Sequence, residues 1–145
     1  MTPAAVIPRQ ITIRLARLDE GEAVHQLCLA GGMWEITHLD WTKFGGFWWV
    51  AEDQEGLVGC VQCLEGFPVG HTEFLFLHPR LTAKEKAALV HDLCETAVVF
   101  LKQCGSQLVS FCIPDHFKSW LDVSLARNCF EWYHGTTLLT PGVKW

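Results

Sequence analysis

The chain is short of several things. It has one tyrosine and two methionines in 145 residues, and only 19% of it is charged. No apolar run approaches the roughly 18 residues that a membrane span needs, so no membrane partner is expected. The opening Met1-Thr-Pro-Ala-Ala-Val-Ile-Pro8 has no basic flank and no long apolar stretch, unlike a signal peptide. Positive charge is outnumbered: 11 Lys and Arg stand against 16 Asp and Glu, a formal net charge of −5. That argues against nucleic acid as a partner, because counterion release needs clustered cations. No internal repeat, linker or low-complexity tract is visible, and half the residues are hydrophobic, which excludes disorder.

What is present is aromatic and thiol-rich. Seven Trp and nine Phe point to a thick core, a sticky surface, or both. The seven cysteines, at 28, 60, 63, 94, 104, 112 and 129, are odd in number and scattered. They read as reduced thiols in the cytoplasm or another reducing compartment. Cys60-Val-Gln-Cys63 is a lone CxxC on an alternating stretch, where its thiols point to opposite faces. His91-x-x-Cys94 lacks a partner pair. Neither spacing makes a zinc site, and no metal is expected.

Residues 1–9 read as an N-terminal arm and 10–145 as a single domain. Gln10 to Arg17 alternates, with Ile11, Ile13 and Leu15 on one face, as a half-buried strand does. Asp19 reads as a helix N-cap with Glu22 as its capping-box partner, and Gly31-Gly32 ends that helix. Met33 to Gly46 is a short helix or an ordered loop. Phe47–Glu52 and Leu57–Glu65 read as a hairpin turning at Asp53–Gly56, and Thr72–His78 as a third strand. Thr82-Ala-Lys-Glu85 is a capping box that opens a long helix, with Leu89, Leu93, Ala97, Phe100/Leu101 and Cys104 at helical spacing and Gly105 as its stop. Gln107–Ile113 is a buried strand. Pro114-Asp115 starts another helix that ends near Asn128, and Cys129–Thr140 holds one or two strands. Helical crossovers imply parallel pairing and hairpins imply antiparallel pairing. The expected fold is therefore α/β, a mixed twisted sheet with helices packed on it.

This order, from Ile11 to about Leu139, resembles the GNAT superfamily of acetyl-CoA-dependent N-acyltransferases. The stretch Phe74-Leu-Phe-Leu-His-Pro79 before the helix at Thr82 carries the likeness most directly. The resemblance implies a GNAT-like single domain with helices on both faces, and a loop for the CoA pyrophosphate drawn from Leu77, Arg80, Thr82, Ala83, Lys84 and Lys86. It implies acetyl-CoA as cofactor and a small-molecule amine as acceptor if the chain is an enzyme. The loop departs from the family pattern: Glu85 and Ala83 stand where glycines let backbone N–H groups approach a diphosphate. Arg80, Lys84 and Lys86 offer cations from the side, or form a solvated first turn.

A base for acetyl transfer has two candidates, His71 and Glu73, two apart on one strand face. The alternative is a turn histidine and a strand-end charge. The tyrosine that GNAT enzymes commonly place near the last helix as an acid is missing from Trp120–Leu125. The lone Tyr133 lies beyond it. A shorter likeness, Arg80-Leu-Thr-Ala-Lys-Glu-Lys86 with His116-Phe-Lys-Ser-Trp-Leu121, is similar to divergent GNAT-like proteins of tailed phages, including the podovirus internal virion protein. It implies a place in a phage particle. The degenerate loop, the absent tyrosine and the aromatic segment together favour a binding or structural component with weak or no catalysis over an active N-acetyltransferase. Trp34, Trp41, Phe44, Phe47, Trp48 and Trp49 mark a region for a protein partner or self-association. Adjacent Trp48 and Trp49 on a strand must face opposite ways.

Overall fold

A computed structural model describes residues 9–33, 46–112, 131–133 and 137–139. Along the chain run β1 (Thr12–Leu15), a 3-10 turn (Leu18–Glu20), α1 (Gly21–Ala30), β2 (Phe47–Asp53), β3 (Gly56–Leu64), β4 (Val69–Leu77), α2 (Ala83–Gln103), β5 (Leu108–Cys112), β6 (Glu131–Tyr133) and β7 (Thr137–Leu139). The strands form one sheet in the order β1-β2-β3-β4-β5-β7-β6. Only β4 and β5 pair in parallel, and α2 makes the crossover between them, so the sheet is mixed. The expected helix from Pro114 to Asn128, the arm before Arg9, and Trp34, Trp41 and Phe44 lie outside the described residues.

Strand alternation divides the sheet into two faces. Ala51, Val61, Leu75 and Leu77 join Leu89, Leu93, Ala97 and Leu101 of α2 in the main core. Val50 and Cys60 join Val24, Leu27 and Cys28 of α1 in a smaller one. The α/β architecture with helices on both faces is as expected. The two thiols of the CxxC do part: Cys60 lies in the small core and Cys63 in the main one. The six described cysteines are free thiols. Trp48 packs on the small core, with its ring 5.5 Å from Phe74, and Trp49 packs on the main core, 5.6 Å from Phe100. Each indole thus meets a layer of the protein's own making.

Two boundaries differ from the sequence reading. α1 is not opened by Asp19 and Glu22. The Glu20 carboxylate accepts from the Arg17 N–H (2.7 Å) and from Arg14 (2.7 and 2.8 Å), which winds Leu18–Glu20 into a 3-10 turn first. Asp19 is left largely in solvent. β4 starts at Val69 rather than Thr72, because Val69, Gly70 and His71 find partners in Leu108, Val109 and Ser110 of β5.

Thr82 does open α2. Its Oγ accepts from the Glu85 N–H (3.1 Å), and the Glu85 carboxylate accepts from the Thr82 N–H (2.9 Å). Thr82→Ala should cost about 1 kcal/mol. Urea denaturation checks this, and an unchanged midpoint would mean that the box does not hold the helix start.

A second ionic device ties the other end of the sheet. Arg14 spans Glu20 and both Glu52 oxygens (3.0 Å each), joining β1, β2 and the 3-10 turn. Hydrogen bonding from Arg14 brings the Glu20 carboxyl down to about 2, against the cost of its burial. A depressed folded-state pKa contributes stability above the ordinary value of 4.5, and this is lost as pH falls toward about 2. Melting temperature should therefore decline through that window, and Glu20→Gln should flatten the decline while lowering the plateau at neutral pH.

Candidate functional site

The site begins where β4 leaves its neighbours. On the β5 side the last described pair is Thr72 and Phe111, and beyond it the two strands part. On the β3 side the register slips: Gln62 faces Glu73 and Cys60 faces Phe76, leaving Phe74 and Leu75 opposite Val61 alone. That is a β-bulge, a device that re-aims groups next to binding sites. Phe74 carries the left-handed φ of 52° that a bulky side chain avoids. The buried Cys60 thiol donates to its carbonyl (3.3 Å), and Cys28 Sγ lies 3.6 Å behind Cys60 Sγ. Burial pushes the Cys60 thiol well up, keeping it a protonated donor.

The forked sheet brings some of the candidate residues together. Glu73 is exposed at the apex of the fork, and His71 is exposed one step behind it, opposite Ser110. Alternation puts both on the α1 face, as their spacing predicts. Cys112, missed by the sequence reading, lies close enough across the fork for the Glu73 charge to add to the effect of burial in raising its thiol. On the same face a groove of about 470 Å³ runs from the 3-10 turn past Val24 and Phe47 to Trp48.

The mouth of the fork is the loop from His78 to Thr82. Leu77 contributes only backbone there, since its side chain is in the main core. The backbone donors of the loop are largely committed. The Arg80 N–H goes to His78 Nδ1 (3.1 Å), Leu81 to the His78 carbonyl (3.2 Å), and Thr82 and Glu85 to each other's side chains. Burial, then the Arg80 charge, lowers His78, whose Nδ1 accepts from the Arg80 N–H. Ala83 and Lys84, the first two residues of α2, are exposed.

The cations are committed too. Arg80 donates to the Asp53 carboxylate (2.8 Å) and the Gly56 carbonyl (3.2 Å), while its Nε faces Glu55 at 3.5 Å without making a hydrogen bond. Arg9 bridges Asp53 and Glu85, the latter at 2.8 Å. Asp53 is fully buried between the two guanidinium groups. Burial pushes its carboxyl up, but Arg80, Arg9 and the Glu55 N–H outweigh this and hold it far below the usual range. The Thr82 N–H first, and then Arg9, likewise lower Glu85. Lys84 and Lys86 form no ion pair among the described residues. Sequence reasoning missed Arg9 and Asp53. The first lies in an arm with no pattern and the second in a turn where an aspartate is ordinary, so nothing local signals their pairing.

No protein-family model matches the sequence, and no curated protein matches it. Its fold is nevertheless shared with solved acetyltransferases. The N-acetylglutamate synthase of Neisseria gonorrhoeae, complexed with coenzyme A and L-arginine, aligns over 90% of this chain with a TM-score of 0.68 and 12% identity. The chain spans about a third of that enzyme (32%). A GNAT-family acetyltransferase of Staphylococcus aureus gives the same TM-score and identity over 98% of its own length. The GNAT N-acetyltransferase YhbS of Escherichia coli, in complex with CoA, aligns over 94% of this chain at a TM-score of 0.66 and 15% identity, covering 83% of YhbS. The chain has the GNAT, acyl-CoA N-acyltransferase fold.

Proposed function

We propose that this is a GNAT-fold binding component with weak or no acetyl transfer, its cofactor loop closed by its own side chains. One observation carries the reading. The carboxylate of Glu85 sits on the helix-start donor at Thr82, and the nearest guanidinium groups are spent on Asp53 and Glu85. A CoA diphosphate would meet a negative charge where a helix start with open backbone N–H groups would hold it. Calorimetry with acetyl-CoA tests this. The expected Kd is weaker than about 0.1 mM, and micromolar binding would overturn the reading. A place in a phage particle rests on the run from Arg80 to Lys86 alone. Its companion run, His116–Leu121, is outside the described residues.

The opposite reading, an active N-acetyltransferase, is favoured by the fork itself. The fork where β4 parts from β5 beyond Thr72 is where an extended thioester arm would lie, and CoA is bound in fold relatives. Exposed Glu73 at the apex then takes a proton from the amine, with His71 beside it. Thiol release from acetyl-CoA over a panel of primary amines, abolished in Glu73→Gln, would establish this reading in place of the first.

A further inference from the structure

A second feature lies on the other face of the sheet, away from the cofactor loop. β1 is an edge strand, and between it and α2 runs an open trough of about 530 Å³. Its floor is Ile11, Ile13 and Trp49, and its far wall is Val99, half-exposed, with Phe100. Asp92 and Glu95, both largely exposed, form the rim. Along α2 the trough extends from Asp92 to Gln103, roughly 16 Å at the helical rise. That is about the length of five extended residues. At the floor the Trp49 indole packs against the main core, with its Nε1 shut off from solvent.

We propose that this trough docks a basic, extended segment of a partner protein, laid along the outer edge of β1. Its alternate apolar side chains rest on Ile13, Trp49 and Val99. Its lysines or arginines reach Asp92 and Glu95. Edge strands are ready templates for such addition, with pockets for alternate side chains giving specificity. Charge selects this occupant over a second copy of the chain, because two copies at −5 each would bring acidic rims together. The proposal deepens the binding role but does not involve the cofactor loop, so acetyl-CoA calorimetry and the following test fail independently.

The probe is a blocked heptapeptide of alternating lysine and valine, titrated into the full chain. The indole N–H resonance of Trp49, assigned with Trp49→Phe, is followed throughout. Saturable binding that shifts that resonance is expected, because the ring forms the trough floor. The affinity should fall at least tenfold in the double variant Asp92→Asn/Glu95→Gln. Val99→Lys, which sets a like charge against the peptide, should weaken binding as much. Equal binding of a glutamate–valine peptide, an unmoved Trp49 resonance, or unchanged affinity in both variants would overturn the proposal. So would self-association that Val99→Lys abolishes, since the occupant would then be a second copy.

Discussion

Asp53→Asn should lower stability by about 2 kcal/mol, among the largest effects of any polar substitution in the described residues. The Asp53 side chain is fully buried and accepts from Arg9, Arg80 and the Glu55 N–H. Asparagine keeps the shape but removes the charge, and its amide group turns donors toward donors. Breaking a buried ion pair costs about 3–5 kcal/mol. The expected loss is smaller because the two arginine side chains keep about a quarter of their exposure (25% and 23%) and recover some hydration. Urea unfolding measures it through the midpoint at constant slope. A midpoint equal to that of the wild type would mean that the two arginines are held by something else. The variant also frees Arg80 beside the loop, so acetyl-CoA affinity should rise modestly as stability falls.

Changing both Glu85 and Ala83 to glycine should have the greatest effect on the cofactor, tightening acetyl-CoA binding by about tenfold or more, equivalent to about 1.4 kcal/mol. Removal of Glu85 uncovers the Thr82 N–H and frees the Arg9 Nε, while the same guanidinium stays on Asp53. Glycine at both positions also lets a phosphate approach the first-turn donors at Ala83 and Lys84. Each glycine costs up to about 1 kcal/mol in helix propensity, so the melting temperature should drop at the same time. Lower stability with tighter binding is a signature that a merely structural Glu85 would not produce. If affinity is unchanged, the loop's self-closure is not what limits cofactor binding.

Local chemistry was legible wherever it is local. Thr82 and Glu85 are three residues apart, and their reciprocal bonds need only one turn of helix. The hairpin between β2 and β3 follows from alternation on both sides of Asp53–Gly56, and the left-handed φ of 128° at Gly56 shows why glycine stands there. The α2 stripe was readable because Leu89, Leu93, Ala97 and Leu101 repeat every four residues. What escaped depends on pairings 44 and 76 residues apart, from Arg9 to Asp53 and to Glu85. Glu22 reads as the capping-box partner of Asp19 because spacing cannot show that Arg14 claims Glu20 and winds the turn before it. Residues at the closed loop thus looked individually like free cations, and only the folded chain shows which of them are already taken.

The unequal layers on the two faces of the sheet have a kinetic consequence. Among the described residues, fifteen buried ones make up the core under α2 and five the core under α1. Local opening is easiest where fewest apolar contacts must be broken. In amide hydrogen exchange, α1 should lose protection well before α2, exposing Val50, Cys60 and the side of the β4 bulge that α1 covers. The face that bears Glu73 and His71 is then the protein's first to breathe, while the trough beside α2 keeps its shape on the slower, globally protected half.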